Sequence, residues 1–260
     1  MPFSQKTAGL FTKKSGSTRG EYLFSRQKEL VLDLVQPQPG ERILDIGCGK
    51  GDKLQIFNDK WSSLTGIDPS KDKLEIARQK FGDRAELVYG DIYDLPFSDN
   101  EFDVVTIINF LEVVDHPQKV IEEAVRVSRN RIFIGFLNNY SIFGTRQKLK
   151  ETFGFPIWQK INFFTFSQIK RMVRDTAGET ATKWGSVIYF PAIVYDFFEE
   201  LEEVFYIRKN PFGAFAGMTF PVKYTYRTVQ SPIMNSLQLK AGANSAAPEV
   251  VREMLRHVDR

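Results

Sequence analysis

The chain has 260 residues, of which 42% are hydrophobic and 26% charged, and its formal net charge is +3. This length suits one large α/β domain that buries its core without disulfides. One cysteine and two histidines are too few for a Cys/His zinc site or an internal disulfide, so we expect no metal. So small a positive charge gives little reason to expect a nucleic acid partner.

The sequence predicts neither a membrane-spanning segment nor a secretory signal peptide. No apolar run approaches the length that spans a bilayer, and residues 1–20 are polar and basic, without the apolar segment of a secretory signal. We therefore expect a cytoplasmic protein. Gly, Ser, Thr and Lys in residues 1–20 favour a mobile N-terminal arm.

Strand and helix patterns alternate from residue 21 to residue 137. Apolar residues at helical spacing predict helices over 21–35, 52–60, 70–81 and 117–127, and short apolar runs predict strands over 42–47, 64–67, 86–89, 104–108 and 132–137. This alternation is typical of a parallel sheet with helices on both faces, and ligands of such sheets bind at the carboxyl ends of the strands.

The second half is rich in aromatic residues, because residues 133–220 hold 15 of the 23 phenylalanines. Its patterns predict helices over 167–177, 196–205 and 248–258 and β-rich stretches over 182–190 and 215–224.

A glycine-rich turn, Asp45-Ile46-Gly47-Cys48-Gly49-Lys50-Gly51, follows the first predicted strand. Glycines tolerate positive φ and let a ligand approach the backbone. A helix that begins after such a turn offers free N–H groups. The glycines alone also fit an ordinary strand-turn-helix.

Acidic residues end the next two predicted strands. A carboxylate at Asp68 has two oxygens that can accept the hydroxyls of a ribose. Asp91 and Ile92 suit an adenine, with an acceptor for its amine and an apolar contact for its ring. Each residue alone is typical of a turn or loop, but features at three successive strand ends predict a nucleoside site.

These segments resemble the class I S-adenosylmethionine-dependent methyltransferases, specifically the type 11 group, over residues 20–137. The resemblance is carried by residues 41–54, 64–70, 87–105 and 107–127. It implies a Rossmann-like methyltransferase fold, that is, a doubly wound, mostly parallel seven-stranded sheet with an aromatic-rich cap insertion. The sequence departs from the family at 128–131, where Ser-Arg-Asn-Arg replaces the usual Lys-Pro-Gly-Gly turn.

The resemblance implies S-adenosylmethionine as cofactor. Gly47 and Gly49 would line its methionine portion, Asp45 would help hold the ammonium, and Asn109 would place its backbone near the sulfonium. Tyr22 would close over the cofactor, unless it only packs on the sheet edge. The full predicted cofactor set is Tyr22, Asp45, Gly47, Cys48, Gly49, Asp68, Pro69, Asp91, Ile92 and Asn109.

A nicotinamide-binding fold is the nearest rival. Its turn is G-x-G-x-x-G, whereas Asp52 occupies the position of the third glycine here. Acidic residues suit a sulfonium and an ammonium better than a pyrophosphate. The acids therefore favour S-adenosylmethionine over a dinucleotide.

Few residues are candidates for acid–base chemistry or acceptor binding. His116 is a candidate base, with a solvated helix-entry residue as the alternative. Cys48 is expected to pack as a small residue. An apolar acceptor pocket is predicted from Tyr140, Phe153, Trp158 and Phe164, although these rings also fit the core of a small cap. Basic residues between 146 and 174 leave contact with an anionic lipid surface or a nucleic acid as alternatives.

The predicted layout is an arm (1–20), a cofactor-binding core (21–137), a cap (138–166), the remaining core with the last strands (167–239) and a tail (240–260). The predicted function is in-line methyl transfer to a small, apolar or aromatic acceptor by a monomer or homodimer. A tRNA or protein methyltransferase and a non-catalytic S-adenosylmethionine-binding module are the alternatives.

Overall fold

A computed structural model describes residues 18–58, 62–141, 162–189 and 209–222, all within one compact unit of the chain. Its helices are α1 (Thr18–Val35), α2 (Lys71–Phe81), α3 (Pro117–Val127) and α4 (Phe166–Ala177). Its strands are β1 (Arg42–Ile46), β2 (Ser63–Asp68), β3 (Ala85–Tyr89), β4 (Phe102–Ile108), β5 (Ser128–Leu137), β6 (Lys183–Val187) and β7 (Phe215–Pro221).

The strands form one seven-stranded sheet in the order β3-β2-β1-β4-β5-β7-β6. Neighbours among β1 to β5 pair in parallel, whereas β7 is antiparallel to both β5 and β6. The carboxyl ends of β1 to β5 therefore share one edge, where β7 begins. The predicted mostly parallel, seven-stranded fold is confirmed.

Apolar side chains cover both faces of the sheet. One core cluster joins Ile107 and Ile134 to Val120 of α3 and Ile169 of α4, and the opposite cluster joins Ile108 and Phe133 to Leu30 of α1. Successive residues of β4 thus belong to different clusters, because strand side chains alternate between faces. Burial on both faces explains the continuous apolar run of β4.

Local capping explains where the helices begin. The Ser70 hydroxyl accepts a hydrogen bond from the Lys73 amide, so α2 begins as predicted. Helix α3 begins at Pro117, whose missing N–H costs nothing in the first turn. Thr165 and Gln168 form a reciprocal capping box at the start of α4.

Three local predictions were wrong. The predicted helix over 52–60 is only a 3-10 turn, Leu54–Phe57, among the described residues. The strand predicted over 132–137 begins four residues earlier, because Ser128 already pairs with Phe102. The helix predicted over 21–35 begins three residues earlier, at Thr18.

Several sequence predictions lie outside the described residues. These are most of the N-terminal arm and of the cap, the helices over 196–205 and 248–258, and the tail, so the domain boundaries stay predictions. Within the described ranges, no helix combines the length and hydropathy needed to cross a membrane.

Arg131 joins the end of α1 to the edge where β5 begins. Its guanidinium donates to both carboxylate oxygens of Glu41 at 2.7 Å and to the carbonyls of Val35 and Gln36 at 2.7 and 3.1 Å. The side chains of Arg131 and Glu41 are only 17% and 13% exposed. Bidentate, charge-assisted bonds of this kind are the strong ones.

Replacing Arg131 by methionine is expected to lower the free energy of unfolding by about 2–4 kcal/mol, because the half-buried Glu41 carboxylate loses its counter-charge and keeps only the hydrogen bond from the Gln38 amide. Arg129→Met is the matched control: Arg129 pairs with Asp103 but is 46% exposed, so the expected loss is below about 1 kcal/mol. Urea denaturation measures both. Equal losses in the two variants would contradict this role of Arg131.

Candidate functional site

The glycine turn after β1 folds over the end of β2. The amides of Gly47 and Cys48 both donate to the carbonyl of Ile67, at 2.8 and 3.1 Å. Gly47, Gly49 and Gly51 have φ values of +76°, +54° and +77°, which glycine adopts without strain. A Cβ on Gly47 would lie 2.2 Å from Cγ of Phe110. Glycine is therefore required at this position by both conformation and space.

Asp68, the last residue of β2, holds the turn from the other side. Its Oδ2 accepts from the Gly49 amide and its Oδ1 from the Ser70 amide, each at 2.9 Å. Burial raises the pKa of this carboxyl, against the opposing effects of Lys73 and the two amides. Each oxygen has a second lone pair for a ligand hydroxyl. The ribose-binding role of Asp68 stays a prediction.

Asp45, on β1, is buried and paired with the neighbouring strand. The Thr106 hydroxyl of β4 donates to its Oδ1 at 2.8 Å. Burial raises the pKa of the Asp45 carboxyl to about 7, although the Thr106 hydrogen bond and the charge of Lys53 both lower it. A cationic ligand would favour the carboxylate form of this group.

Asn109 directly follows β4 and adopts the left-handed region, with φ of +52°. Its amide donates to the Gly135 carbonyl at 2.8 Å. Its side-chain Oδ1 is buried and has no hydrogen-bond partner among the described residues. Such an orphaned acceptor is rare unless a ligand or water completes it.

The predicted adenine-binding residues lie after β3. Ile92 is buried, whereas Asp91 is exposed and its Oδ1 accepts from the Tyr93 amide at 2.9 Å. Pro69 is half-buried directly after Asp68. These positions follow strands at the same edge as the glycine turn, and their contacts with a cofactor stay predictions.

Cys48 is buried inside the glycine turn. A Cβ on Gly66 would lie 2.7 Å from its sulfur, which leaves the thiol tightly packed. Burial and the nearby carboxyls of Asp45 and Asp68 raise the pKa of this thiol. A neutral thiol is a poor nucleophile, so packing is the role that this environment favours.

Four of the remaining predicted site residues lie in the described part of the chain. His116 is exposed just before α3, with its ring 5.9 Å from that of Tyr93. Tyr22 is half-buried on α1, and Tyr140, after β5, is 61% exposed. Phe164 packs in the core. Phe153 and Trp158 lie outside the described residues.

Glu112 was missed by the sequence analysis. It is 2% exposed in the short turn after β4. Its Oε1 accepts from the Leu137 amide at 2.5 Å, and its carbonyl accepts from the Asn162 amide at 3.0 Å. Its Oε2 is buried and has no hydrogen-bond partner in the described part of the chain. Burial raises the pKa of Glu112 to about 7.

Metal binding has no support from these carboxyls. Among the residues that the structure describes, no group of His, Cys, Asp and Glu is arranged to hold a metal ion.

Glu112 makes the stability depend on pH. Because its folded-state pKa is above its ordinary value of 4.5, its contribution is complete below that value and is lost as the pH rises through about 7. Glu112→Gln keeps the Leu137 hydrogen bond without titrating. We expect its free energy of unfolding to fall less than that of the wild type between about pH 5 and about pH 8.

Chemical denaturation across this pH range tests the Glu112 prediction. Glu122→Gln, at an exposed position on α3, is the matched control and should keep the wild-type slope. Part of that slope belongs to Asp45, whose pKa is raised in the same direction. A Glu112→Gln slope equal to that of the wild type would refute the assignment.

Gly47→Ala is expected to lower the free energy of unfolding by more than about 2 kcal/mol, because it adds the clash with Phe110 to the cost of a left-handed alanine. Gly40→Ala is the control: Gly40 also has positive φ, +84°, but a Cβ there meets nothing within 4 Å. Its expected loss is about 1–2 kcal/mol. Thermal unfolding measures both, and a smaller loss at Gly47 than at Gly40 would be inconsistent with the packing described.

Comparisons with known proteins agree with this geometry. A family model described as a methyltransferase domain matches residues 44–133. A demethylmenaquinone methyltransferase of Renibacterium salmoninarum is 35% identical over 104 residues, 40% of this chain and 44% of that protein. The chain thus spans less than half the length of this relative. The corresponding protein of Oceanobacillus iheyensis is 32% identical over 177 residues, 62% of this chain and 74% of that protein.

Solved structures share the fold. An S-adenosylmethionine-dependent methyltransferase of Thermotoga maritima, described as a possible histamine N-methyltransferase, superposes with a TM-score of 0.60 at 20% identity, covering 78% of this chain and 90% of that one. At so low a sequence identity, the structural similarity supports the fold alone. Taken with the Oceanobacillus relative, the sheet and the glycine turn lead to one conclusion: the chain belongs to the class I methyltransferases, whose cofactor is S-adenosylmethionine.

Proposed function

We propose that this chain transfers a methyl group from S-adenosylmethionine to a small apolar acceptor with an aromatic ring of the quinol type. The observation that carries the proposal is the convergence of Asp45, the glycine turn and Asp68 where β1 and β2 end. The names of the Renibacterium and Oceanobacillus relatives, both demethylmenaquinone methyltransferases, support the acceptor class.

The residues present fit the cofactor. A Cβ on Gly49 would meet only ordinary contacts, 3.8 Å from Lys73 and 3.9 Å from Asp68, so the backbone is open beside an acidic group. The orphaned Oδ1 of Asn109 and the buried carboxyl of Asp45 suit the donors and positive charge of an ammonium. Asp68 has lone pairs left for the ribose hydroxyls.

Catalysis on such a site is mainly a matter of alignment. When bound, S-adenosylmethionine would supply an activated methyl group, which would bond to a nucleophilic atom of the acceptor as the carbon–sulfur bond breaks and the sulfur keeps the electron pair. The turn and Asp45 would hold the donor end in line, and fixed geometry lowers barriers by up to about 7–11 kcal/mol. His116, which is exposed just before α3, is our candidate base for the acceptor proton.

Two exposed aromatic rings support an apolar acceptor. Tyr140 and Phe212 are 61% and 66% exposed. The buried Asn138 joins their loops: its Nδ2 donates to the Gly213 carbonyl at 2.9 Å and its Oδ1 accepts from the Tyr140 amide at 3.2 Å. Both loops lie where β5 ends and β7 begins, at the sheet edge of the glycine turn. Rings held on anchored loops offer contact area to a flat, greasy molecule.

The purified chain is expected to methylate a polyprenyl-1,4-naphthoquinol, kept reduced, with labelled S-adenosylmethionine. Mass spectrometry should detect a quinone heavier by one labelled methyl in place of a hydrogen. Asp68→Ala should weaken S-adenosylmethionine binding more than about tenfold, since it removes charge-assisted hydrogen bonds, and Asp72→Ala, at an exposed position on α2, should not. Cofactor binding without methylated quinol would overturn the acceptor class and favour a different acceptor or a non-catalytic module.

A further inference from the structure

Two loops with exposed rings meet where β5 ends and β7 begins. The post-β5 loop is residues 138–141 and carries Tyr140, and the pre-β7 loop is residues 209–214 and carries Phe212. Among the described residues, these two are the most exposed of the large apolar side chains. A single exposed ring needs no explanation, so the contacts that hold the two loops decide whether they form a binding surface.

Asn138 fixes the pre-β7 loop to the end of β5. It is fully buried, and its Nδ2 donates to the carbonyls of Pro211 and Gly213, to the latter at 2.9 Å. Its Oδ1 accepts from the Tyr140 amide at 3.2 Å, and its backbone amide donates to the Ala214 carbonyl at 3.0 Å. Both side-chain donors and the side-chain oxygen are therefore engaged.

Ser186 of β6 holds the same loop from the other side, because β7 lies between β5 and β6 in the sheet. Its buried hydroxyl accepts from the Gly213 amide at 3.0 Å and donates to the Asn210 carbonyl. A Cβ on Gly213 would lie 2.4 Å from the Val187 carbonyl oxygen, so the loop packs directly on the backbone of β6. Buried, satisfied polar groups on both sides hold the pre-β7 loop in one conformation.

The sheet order sets how far this loop lies from the glycine turn. Strands β4 and β5 separate β1 from β7, and the usual spacing of strands puts β1 and β7 about 14 Å apart. An acceptor whose ring is held beside the methyl donor therefore reaches Phe212 through a substituent rather than through the ring itself.

We propose that Phe212 and Tyr140 bind an apolar chain attached to the acceptor ring, and that Asn138 is the residue that positions Phe212 for this contact. A loop that is fixed before binding loses little conformational entropy when the chain binds. The inference rests on the proposed function and adds a determinant of acceptor specificity to it: an acceptor that carries an isoprenoid chain is preferred to the bare ring.

Steady-state kinetics with two reduced acceptors, in the absence of lipid, tests the proposal. The acceptors are 1,4-naphthoquinol and the same ring with a chain of two isoprene units. The wild type should show a kcat/KM about tenfold or more higher for the acceptor with the chain. The difference should lie in KM, because contacts that are equal in the ground and transition states leave kcat unchanged. Phe212→Ser should reduce this preference to within about threefold.

Asn138→Asp tests the positioning role. It keeps the size of the side chain and the acceptor for the Tyr140 amide, but it removes the donors to Pro211 and Gly213. The chain preference should again fall to within about threefold, while S-adenosylhomocysteine should bind within about twofold of the wild-type affinity. Because both substitutions act on one ring, the double variant with Phe212→Ser should show no further loss.

Two further variants complete the design. Asn130→Asp adds the same charge at an exposed position near the other end of β5 and should keep the wild-type preference. Ser186→Ala frees the pre-β7 loop from β6 and should lower the preference. It decides the question if Asn138→Asp fails to bind S-adenosylhomocysteine and is therefore not folded.

The possible results separate this proposal from the proposed function. If the wild type methylates both acceptors equally well, or if the Phe212 and loop variants keep its preference, the chain-binding assignment is wrong. Additive losses in the double variant would refute the positioning role of Asn138. If the wild type binds S-adenosylhomocysteine but methylates neither acceptor, the proposed function itself fails, and the assignment with it.

Discussion

The hydrogen bonds between the glycine turn and the end of β2 are the interaction on which the site depends. The successive amides of Gly47 and Cys48 both donate to the carbonyl of Ile67. The Asp68 carboxylate accepts a hydrogen bond from the amide of Gly49. The parallel pairing of β1 and β2 puts these groups within reach, and positive φ lets the turn follow them. Without this closure, the backbone beside the acids would not be held in one conformation.

Buried acids are the electrostatic counterpart of this turn. Asp45, Asp68 and Glu112 all lie at or just beyond the carboxyl ends of the strands, and burial raises the pKa of each. Burying carboxyls costs stability, and perturbed acids of this kind are concentrated at functional sites. A bound ligand with an ammonium and a sulfonium would relieve that cost at Asp45. Glu112 instead ties the turn after β4 to the end of β5 through its bond to Leu137.

The sequence predicts best those features that depend on neighbouring residues. Pro117 and Ser70 set the starts of α3 and α2 as expected, and the glycine turn lies where the pattern puts it. Contacts between distant segments were not predicted. One is the hydrogen bond from Thr106 to Asp45, two residues that lie 61 positions apart in the sequence. Phe110 restricts position 47 to glycine only because the fold brings its ring against Gly47.

Other errors have the same origin. Apolar residues at 54, 56 and 57 are all buried and so do not form the single apolar stripe of a helix. Ser128 belongs to β5 because of a partner strand, not because of its own preference. Glu112 has no local signal at all, since its shifted pKa comes from burial by the surrounding fold.

The central claim is that the tips of β1 and β2 bind an adenosyl nucleoside bearing an amino acid. Titration calorimetry of the wild-type chain with S-adenosylhomocysteine and, separately, with NADH tests it most directly. We expect one molecule of S-adenosylhomocysteine to bind per chain and NADH to release no heat. Saturable binding of NADH, with none of S-adenosylhomocysteine, would contradict the account.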